Sequence, residues 1–359
     1  MNSSVEKNTF PLELMNWYLH KGYDFPWRNT SDPYSIWLSE VMLQQARVST
    51  ASPYYLHWIS ALPDIHSVAE APIDNILKLW EGLGYYGRAR NFHKACKIVI
   101  EKHGGVIPRD PLEFSKLPGV GPYICAAVMS IAFNLPIPAA DGNAIRVISR
   151  MNSIDSPYPK SKKRIITFLS GHIDTISPGY FNQAIMDLGR EICTYKNPSC
   201  YICPVNIYCC SYVNNTVDKF PANIKKVSRP HHNVAVGLIW KDNRILISKR
   251  NDSGLLGGLW EFPGGKIRSG ENGTSCVVRE AQKTLNVLVV PVAFVKQIKH
   301  AYSHFSITVD AYSCTFRGGH PRALGCADFR WIHPRETGQF AFHGACHKLF
   351  DKILETASV

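Results

Sequence analysis

Five of the eleven cysteines in this 359-residue chain lie within the eighteen residues at 193–210, CTYKNPSCYICPVNIYCC. The six others are scattered singly, and the N-terminus lacks the pattern of a signal peptide, so a disulfide framework is not expected. The cluster predicts a metal site in a reducing compartment. Cys210 is left over from the spacing C-x6-C-x2-C-x5-C. The four cysteines that follow this spacing are Cys193, Cys200, Cys203 and Cys209.

The spacing of these cysteines bears on which metal they would hold. A structural zinc site usually separates two C-x2-C pairs by a dozen or more residues, whereas this loop has one pair with two wider arms. Four thiolates on one short loop suit the four iron corners of a cubic 4Fe-4S cluster. We therefore favour an iron-sulfur cluster, with zinc or no metal as alternatives. An electron carrier is not favoured, because the spacing differs from that of ferredoxins.

Two carboxylates lie among apolar neighbours, Glu40 in SEVMLQQ and Asp141 in AADGN. Burial raises the pKa of a carboxyl group, which can then keep a proton and donate it near neutral pH. A buried carboxylate more often caps a helix or pairs with a cation, so neither residue alone indicates catalysis.

The segment LPGVGPY puts Gly119 and Gly121 just before an apolar helix that begins near Tyr123. Glycines allow a close approach of the backbone, and a helix N-terminus attracts phosphate. A tight turn between two helices explains a G-x-G pattern equally well.

The charge of the chain suggests a class of partner. Lysine and arginine number 40 against 28 aspartates and glutamates, which gives a formal net charge of +12 and a pI near 9.1. A polyanion such as nucleic acid suits this charge, and so does plain solubility. No apolar stretch approaches the ~20 residues of a membrane span, so no membrane association is expected.

The apolar pattern changes along the chain. Helical spacing dominates the first part, as in RNFHKACKIVIEKHGG, where apolar residues recur from Phe92 to Ile100 before a Gly-Gly pair. Later, apolar residues alternate at 234–240 and at 245–247 around a turn at 241–244, which predicts a β-hairpin. We therefore predict a multi-domain protein with three regions: an all-α domain at 1–212, a linker at 213–231 and an α+β domain at 232–359.

Six segments come in a fixed order along residues 10–210: DPYSIWLSEVMLQQ, LWEGLGYYGRARN, LPGVGPY, DGNAIRV, FNQAIMDLG and the cysteine loop. In order and spacing they resemble the motifs of MutY-type adenine DNA glycosylases, a branch of the endonuclease III-like helix-hairpin-helix family. The resemblance implies a helix-hairpin-helix fold and a 4Fe-4S cluster on the cysteines. It also implies that Lys196 faces a DNA phosphate, with an ordinary solvated lysine as the alternative.

The resemblance assigns roles to both carboxylates. The target adenine must leave the duplex, and its bond to the sugar breaks through an oxocarbenium-like state, as in hydrolysis by paired carboxylates. Glu40 would protonate the departing adenine at N7, and Asp141 would stay ionised beside the sugar cation. Tyr123 and Asn143 match the residues that orient this pair.

One departure from the wider family bears on the reaction. Members that also cut the strand carry a lysine nucleophile where this chain has Tyr123, so a monofunctional enzyme is expected. Lys116 lies nearby in sequence and leaves weak adventitious trapping open.

Four further positions match residues that contact the DNA. Arg28 and Gln183 match positions near the adenine pocket. Gln45 and Tyr85 match a wedge that enters the base stack where the adenine has left, although Tyr85 or Tyr86 would also suit a helical core.

The segment GLWEFPGGKIRSGENGTSCVVREAQKTLNV, at 258–287, resembles a Nudix box, which binds divalent metal through several glutamates, two of them adjacent. Lysine cannot supply the oxygen that Mg²⁺ needs, so Nudix hydrolysis is not expected and a recognition role is implied. The box residues Gly265, Glu271, Arg279 and Glu280 are retained, and Lys283 and Thr284 replace the adjacent glutamates.

The triplet Tyr302, Ser303 and His304 aligns with the Phe-Ser-His triplet that the family uses to contact 8-oxoguanine. A strand end with a polar loop is the alternative. A hydroxyl can both donate and accept, so it can meet the N7–H and O8 edge of the lesion.

Taken together, these patterns predict a monofunctional glycosylase of base excision repair that removes adenine paired with 8-oxoguanine or guanine. We expect a monomer that binds double-stranded DNA in the cytoplasm, associated with a bacterial nucleoid. Two other classes stay open, an active Nudix pyrophosphatase and a non-enzymatic DNA-binding or redox-sensing protein.

Overall fold

The computed structural model describes residues 9–222, 229–302 and 304–356. The chain forms two compact units: one holds the described residues up to Glu70 and those from Asn91 to residue 222, and the other holds Ala71–Arg90 and the described residues from 229 onward. The domain boundaries expected near residues 212 and 232 remain a prediction. Residues 1–8 and 223–228 of the predicted first domain and linker lie outside the described residues.

Helices form the described chain up to residue 222, as the apolar spacing predicts. The helix predicted around Phe92 is confirmed as part of a helix at Gly87–His103, which ends at Gly104 and Gly105, both with positive φ. None of the described helices is long and apolar enough to cross a membrane. The helices are α1 (Phe10–Lys21), α2 (Pro33–Leu43), α3 (Val48–Ala61), α4 (Ile65–Glu70), α5 (Ile73–Leu79), α6 (Gly87–His103), α7 (Pro111–Ser115), α8 (Pro122–Phe133), α9 (Gly142–Met151), α10 (Lys162–Ser170), α11 (Pro178–Glu191) and α12 (Cys210–Val213).

Helix α2 is surrounded by protein. It starts at Pro33, and the Asp32 side chain accepts hydrogen bonds from the backbone N–H groups of Tyr34 (3.3 Å) and Ser35 (2.9 Å). All residues at 36–42 are buried, including Glu40. A helix that is apolar on every side belongs at the centre of a domain, so any polar residue on it is carried inside.

Helix α11 packs closely on α8 and α9 because glycines face both neighbours. A Cβ atom on Gly179 would lie 2.9 Å from the Cα of Ile131 and 2.9 Å from the backbone oxygen of Ser130, both in α8. A Cβ atom on Gly189 would lie 2.6 Å from the Cβ of Asn143 in α9. Contacts this short require glycine, and they bring the three helices together around the candidate site.

The second unit contains α5 and a mixed sheet with the strand order β3-β2-β1-β6-β5, in which β4 also pairs with β1 and β7 with β2. Only the β1–β6 pair among these is parallel. The strands are β1 (His231–Lys241), β2 (Arg244–Lys249), β3 (Trp260–Glu261), β4 (Gly264–Lys266), β5 (Val287–Ala301), β6 (Ser306–Gly319) and β7 (Asp328–Ile332).

The predicted hairpin is confirmed. Strands β1 and β2 pair antiparallel with Trp240 opposite Ile245, and Asp242 and Asn243 between them have φ angles of 48° and 59°. Two successive residues in the left-handed region match the tight turn that fits the twist of a hairpin.

Helices cover both faces of the sheet, as an α+β domain requires. Helix α13 (Gly273–Leu285) contributes Val277 to the core on one face. Helices α14 (Gly344–His347) and α15 (Phe350–Thr356) contribute Ala345 and Ile353 to the core on the other. The α5 segment belongs to this unit, since the backbone N–H of Phe342 donates to Glu81 Oε1 at 2.7 Å.

We predict that Gly179→Ala lowers the free energy of unfolding by about 1–3 kcal/mol, because the new methyl group meets backbone atoms of α8 that cannot rotate away. The matched control is Gly171→Ala, whose Cβ would lie 3.5 Å from the Thr167 oxygen, an ordinary contact. Urea unfolding followed by tryptophan fluorescence measures both variants. If Gly179→Ala and Gly171→Ala have equal free energies of unfolding, α11 can move away from α8 without loss of stability, which contradicts the prediction.

Candidate functional site

Glu40 is a buried carboxyl group in the first unit, with 4 % of its surface exposed. The hydroxyl of Tyr123, in the first turn of α8, donates a hydrogen bond to its Oε2. Burial raises the pKa of Glu40 and the charge of Asp141 adds to the rise, while the Tyr123 hydrogen bond and Arg28 oppose it. The net shift is upward, so this carboxyl can hold a proton where an exposed glutamate has lost it.

Asp141 caps the N-terminus of α9, a position that favours aspartate. Its Oδ1 accepts from the backbone N–H of Ala144 at 2.6 Å, and its Oδ2 accepts from the side-chain amide of Asn143 at 3.0 Å. Burial raises the pKa of Asp141 and the net shift is upward, although these hydrogen bonds limit the rise because they favour the carboxylate. Asn143 is held in turn by Arg146, whose Nη2 donates to its Oδ1 at 2.8 Å.

Arg28 and Gln183 lie together on the wall of a cavity of about 470 Å³. Arg28 Nη2 forms an ion pair with Asp187 Oδ2 at 2.9 Å, and both side chains are buried. The hydroxyl of Tyr18 donates to Gln183 Oε1 at 2.5 Å. These contacts fix two polar side chains at a concave surface whose size is typical of a small-molecule pocket.

Two residues that hold predicted site residues in place are missing from the sequence-based predictions. They are Asp187, which pairs with Arg28, and Arg146, which donates to Asn143. Each lies one helical turn from a predicted residue, with Asp187 four positions after Gln183 and Arg146 three positions after Asn143. Side chains with this spacing share a helix face, so the spacing is the signal that could identify them.

The hairpin before α8 has the geometry that its glycines suggest. Gly119 has φ 80°, and a Cβ atom there would lie 2.9 Å from the Cβ of Asn91. Gly121 is the N-cap of α8 and has open space on its side-chain face. The helix N-terminus therefore begins at a backbone that a ligand can approach closely.

Gln45 and Tyr85 both have left-handed backbone conformations, with φ 58° and 50°. Such a conformation costs a non-glycine residue on the order of 1–3 kcal/mol and is retained where the surroundings enforce it. Tyr85 is 38 % exposed, whereas Tyr86 is buried. The oxygen of Gly84 accepts hydrogen bonds from Trp80 Nε1 and Arg88 Nη2, both at 3.0 Å, which holds the Tyr85 turn in place.

The four spaced cysteines line one small cavity beside α9, together with Arg150. The guanidinium of Arg150 lies 3.3 Å from the Cys193 sulfur and also donates to the backbone oxygens of Thr194 (2.7 Å) and Tyr195 (3.1 Å). Burial raises the pKa of Cys203 to about 12. Cys210 is exposed, and so is Lys196.

The donor set of this cavity suits an anionic metal–thiolate group. A buried thiol gives up its proton only when a cation stabilises the sulfur. The positively charged guanidinium of Arg150 contacts the Cys193 sulfur in the cavity wall. Within residues 9–222, 229–302 and 304–356, no three His, Cys, Asp or Glu side chains are close enough to hold a single metal ion. Four cysteines that line one cavity suit a cluster that needs four thiolate ligands.

The retained acids of the Nudix-like segment are bound to arginine. Arg279 contacts both oxygens of Glu271 at 2.7 Å and also pairs with Glu280. Arg279 lowers the pKa of Glu271 to about 2. Lys283 lies 3.9 Å from Glu280, so these carboxylates are already neutralised by side-chain cations.

Tyr302 lies between β5 and β6, half-buried, with its ring stacked on Phe305 at 4.8 Å. Its hydroxyl is 3.3 Å from His343 Nδ1. His304 is exposed, and Ser303 lies outside the described residues. The predicted reading segment therefore has a fixed aromatic residue followed by an accessible histidine.

The two regions of the chain match two protein families. Residues 38–169 match the HhH-GPD superfamily of base excision DNA repair proteins, and residues 235–352 match the NUDIX domain. A solved thermostable thymine-DNA glycosylase is similar in structure, with a TM-score of 0.54 and 28 % identity over 57 % of this chain and 96 % of its own.

Two curated relatives extend the match over most of the sequence. The adenine DNA glycosylase of Buchnera aphidicola (subsp. Baizongia pistaciae) is 37 % identical over 84 % of this chain and 84 % of its own length. The adenine DNA glycosylase of Rattus norvegicus is 30 % identical over 96 % of this chain and 78 % of its own. The chain therefore belongs to the adenine DNA glycosylases, the helix-hairpin-helix enzymes that hydrolyse the N-glycosidic bond of adenine.

Proposed function

We propose that this glycosylase acts on double-stranded DNA in which adenine is paired with 8-oxoguanine or guanine, and that it releases the base without cutting the strand. The observation that carries the proposal is the buried Glu40 carboxyl, which accepts a hydrogen bond from Tyr123 and whose pKa the charge of Asp141 raises. One group that keeps its proton and one that is stabilised as a carboxylate are the two parts that hydrolysis of a glycosidic bond requires.

Glu40 acts as the general acid. The target adenine rotates out of the duplex, and the protonated Glu40 gives its proton to N7 as the bond to the sugar breaks. The proton makes the adenine a neutral leaving group. Tyr123 fixes the direction of the carboxyl through its hydrogen bond to Oε2.

Asp141 stabilises the cation that remains on the sugar. The hydrogen bonds from Ala144 and Asn143 favour its charged form, so a negative oxygen is in place when the positive charge develops. Arg146 acts one step away as a positioning residue, because it orients Asn143.

The released base occupies the cavity lined by Arg28 and Gln183. The Tyr18 hydroxyl donates to Gln183 Oε1, which leaves the Gln183 amide N–H groups free to donate to the edge of the base. The ion pair with Asp187 keeps Arg28 in one orientation and offsets its charge.

Strand cleavage by these enzymes needs an amine at the sugar, and the matching position carries the phenol of Tyr123. Lys116, the nearest lysine in sequence, is exposed and paired with Glu113 at 2.7 Å. Release of the base by hydrolysis alone is the reaction that fits these residues.

The remaining contacts hold the DNA. Gln45 and Tyr85, with their enforced backbone conformations, enter the base stack in place of the flipped adenine. The α8 N-terminus at Gly119 and Gly121 and the exposed Lys196 bind backbone phosphates.

Cys193, Cys200, Cys203 and Cys209 hold a 4Fe-4S cluster. When bound, the cluster supplies four iron–thiolate bonds that cross-link a loop with little apolar content of its own. Arg150 contributes a positive charge to the sulfur cavity and ties the loop to α9.

The second domain reads the base opposite the adenine. Tyr302, Ser303 and His304 contact the N7–H and O8 edge that distinguishes 8-oxoguanine from guanine. Pyrophosphate hydrolysis has no support, because Arg279 and Lys283 occupy the surroundings of Glu271 and Glu280.

The enzyme works as a monomer on cytoplasmic DNA.

We predict that Glu40→Gln slows adenine release at least about 100-fold, because glutamine keeps the shape of the side chain but has no proton to give. The wild-type rate falls as the pH rises through the raised pKa of Glu40, since the acid form is lost. Single-turnover release of adenine from a duplex with adenine opposite 8-oxoguanine measures both effects.

The matched control is Glu101→Gln, an exposed glutamate on α6, which leaves the rate unchanged. In the same reactions borohydride traps little enzyme on the DNA. Near-normal turnover by Glu40→Gln contradicts the acid assignment, and efficient trapping reveals an amine in the site.

We predict that Cys200→Ser loses iron and sulfide, whereas Cys210→Ser keeps both, because Cys200 lines the sulfur cavity and Cys210 is exposed outside it. Wild type should hold about four irons and four sulfides per chain. Metal and acid-labile sulfide analysis of the purified proteins measures this. Stoichiometric zinc in the wild type, or equal iron loss in both variants, would rule out the assignment.

We predict that Ser303→Ala combined with His304→Ala slows excision opposite 8-oxoguanine but much less opposite guanine, because the lost contacts exist only with the lesion. Loss of a good base-edge contact costs about 1–3 kcal/mol, or roughly 5- to 150-fold. Single-turnover rates on both duplexes at one salt concentration give the comparison, with the exposed His320→Ala as control. Equal losses on both duplexes would make the second domain a general DNA clamp.

A further inference from the structure

The second unit contains a cavity of about 560 Å³ whose wall is mostly apolar. Residues of β1 and β6, such as Val234 and Ile307, form much of it. Tyr302 lines it too, with its hydroxyl 3.3 Å from His343 Nδ1. Three further lining side chains have no role in the proposed excision reaction: Glu261, His343 and Cys346.

These three side chains form a short chain of polar contacts. The Cys346 sulfur lies 3.4 Å from Nε2 and 3.8 Å from Nδ1 of His343. The same Nε2 lies 3.6 Å from Glu261 Oε2, which also accepts a hydrogen bond from Arg250 Nη1 at 2.6 Å. Both contacts involve the same ring nitrogen, and the Tyr302 hydroxyl lies 3.3 Å from Nδ1, so this is a thiol beside an ion-paired imidazolium rather than a catalytic triad. A cation next to a cysteine sulfur favours its reactive form.

The charges around the sulfur favour this activation. Burial by itself lowers the pKa of His343, but Cys346 and Glu261 outweigh it and raise the pKa to about 10. Burial raises the pKa of Glu261, and His343 and Arg250 outweigh it, so the net shift is downward and the carboxylate stays charged. Arg250 and a protonated His343 outnumber Glu261 by one charge, so an excess positive charge lies beside the Cys346 sulfur.

We propose that Cys346 is a reactive thiolate that hydroperoxides modify through this cavity. The sulfur attacks one oxygen of the peroxide, so the S–O bond forms as the O–O bond breaks. Sulfur loses two electrons and the peroxide is reduced. The imidazolium of His343 gives its proton to the departing hydroxide, which leaves as water, and Cys346 becomes a sulfenic acid.

The same domain provides a matched thiol without this environment. Cys314, on β6, is as buried as Cys346. Burial raises the pKa of Cys314 to about 12, since no cation opposes it. Burial therefore disfavours reaction at Cys314, and a preference of an oxidant for Cys346 reports on the cavity and the imidazolium together, which the His343→Gln variant separates.

The test is sulfenic-acid trapping on the full-length, folded protein. Wild type is exposed briefly to hydrogen peroxide with dimedone present, and peptide mass spectrometry follows Cys346 and Cys314 separately. We expect labelling of Cys346 at least about tenfold faster than that of Cys314. In urea the two thiols should label at similar rates, because the imidazolium contact is gone.

His343→Gln should slow the labelling of Cys346 about tenfold or more, while His320→Gln, at an exposed histidine of the same domain, leaves it unchanged. The wild-type comparison of the two cysteines stands even if His343→Gln unfolds. Equal labelling of Cys346 and Cys314 in the folded wild type overturns the proposal, and so does undiminished labelling in a folded His343→Gln. Neither readout depends on glycosylase activity.

Discussion

The rest of the site depends on keeping a carboxyl group dry at the centre of a helical domain. Glu40 can hold its proton because α2 is buried on every side and because α8 brings the Tyr123 hydroxyl to it. Such burial requires close packing of the neighbouring helices, and Gly179 supplies it by letting α11 lie directly on the backbone of α8. The raised pKa of Glu40 therefore depends on the close packing of these helices. An opening that admits water would lower this pKa toward that of an exposed glutamate.

Helix α9 connects the Asp141 carboxylate to the cysteine loop. Asp141 caps its first turn, and Arg146 one turn later donates both to Asn143 and, through Nε, to the Cys193 oxygen at 2.7 Å. Arg150, a further turn along, reaches the Cys193 sulfur. The loop is thus held by two arginines of the helix that orients the site.

Sequence and structure agree where a short motif fixes both the element and the residue. The helix around Phe92 and the β-hairpin with its turn at 241–244 follow from local spacing, which the surrounding fold leaves unchanged. Asp187 lies in a quoted motif but becomes informative only when α11 turns it toward Arg28. The contact between His343 and Glu261 could not be predicted at all, because the two residues meet only after the chain has passed from β3 to the C-terminal helices. Local rules identify what a residue can do, and long-range packing decides which residue it meets.

Ion pairing separates the buried acids of the proposed catalytic pair from the acids that are fixed as carboxylates. Asp187 is bound to Arg28, and Glu271 to Arg279, so each is fixed as a carboxylate. Along the described parts of the chain, no ion pair within 4.0 Å reaches Glu40. A buried carboxyl without a cation is costly to ionise, and the cheaper state is the protonated acid. The same reasoning explains why no metal-dependent reaction is proposed for the second domain. There Arg279 and Lys283 pair with Glu271 and Glu280, the acids that would bind a divalent metal. Within the described residues of the helical unit, neither Glu40 nor Asp141 forms an ion pair within 4.0 Å, and both are buried, which sets these two acids apart from the paired acids of both units.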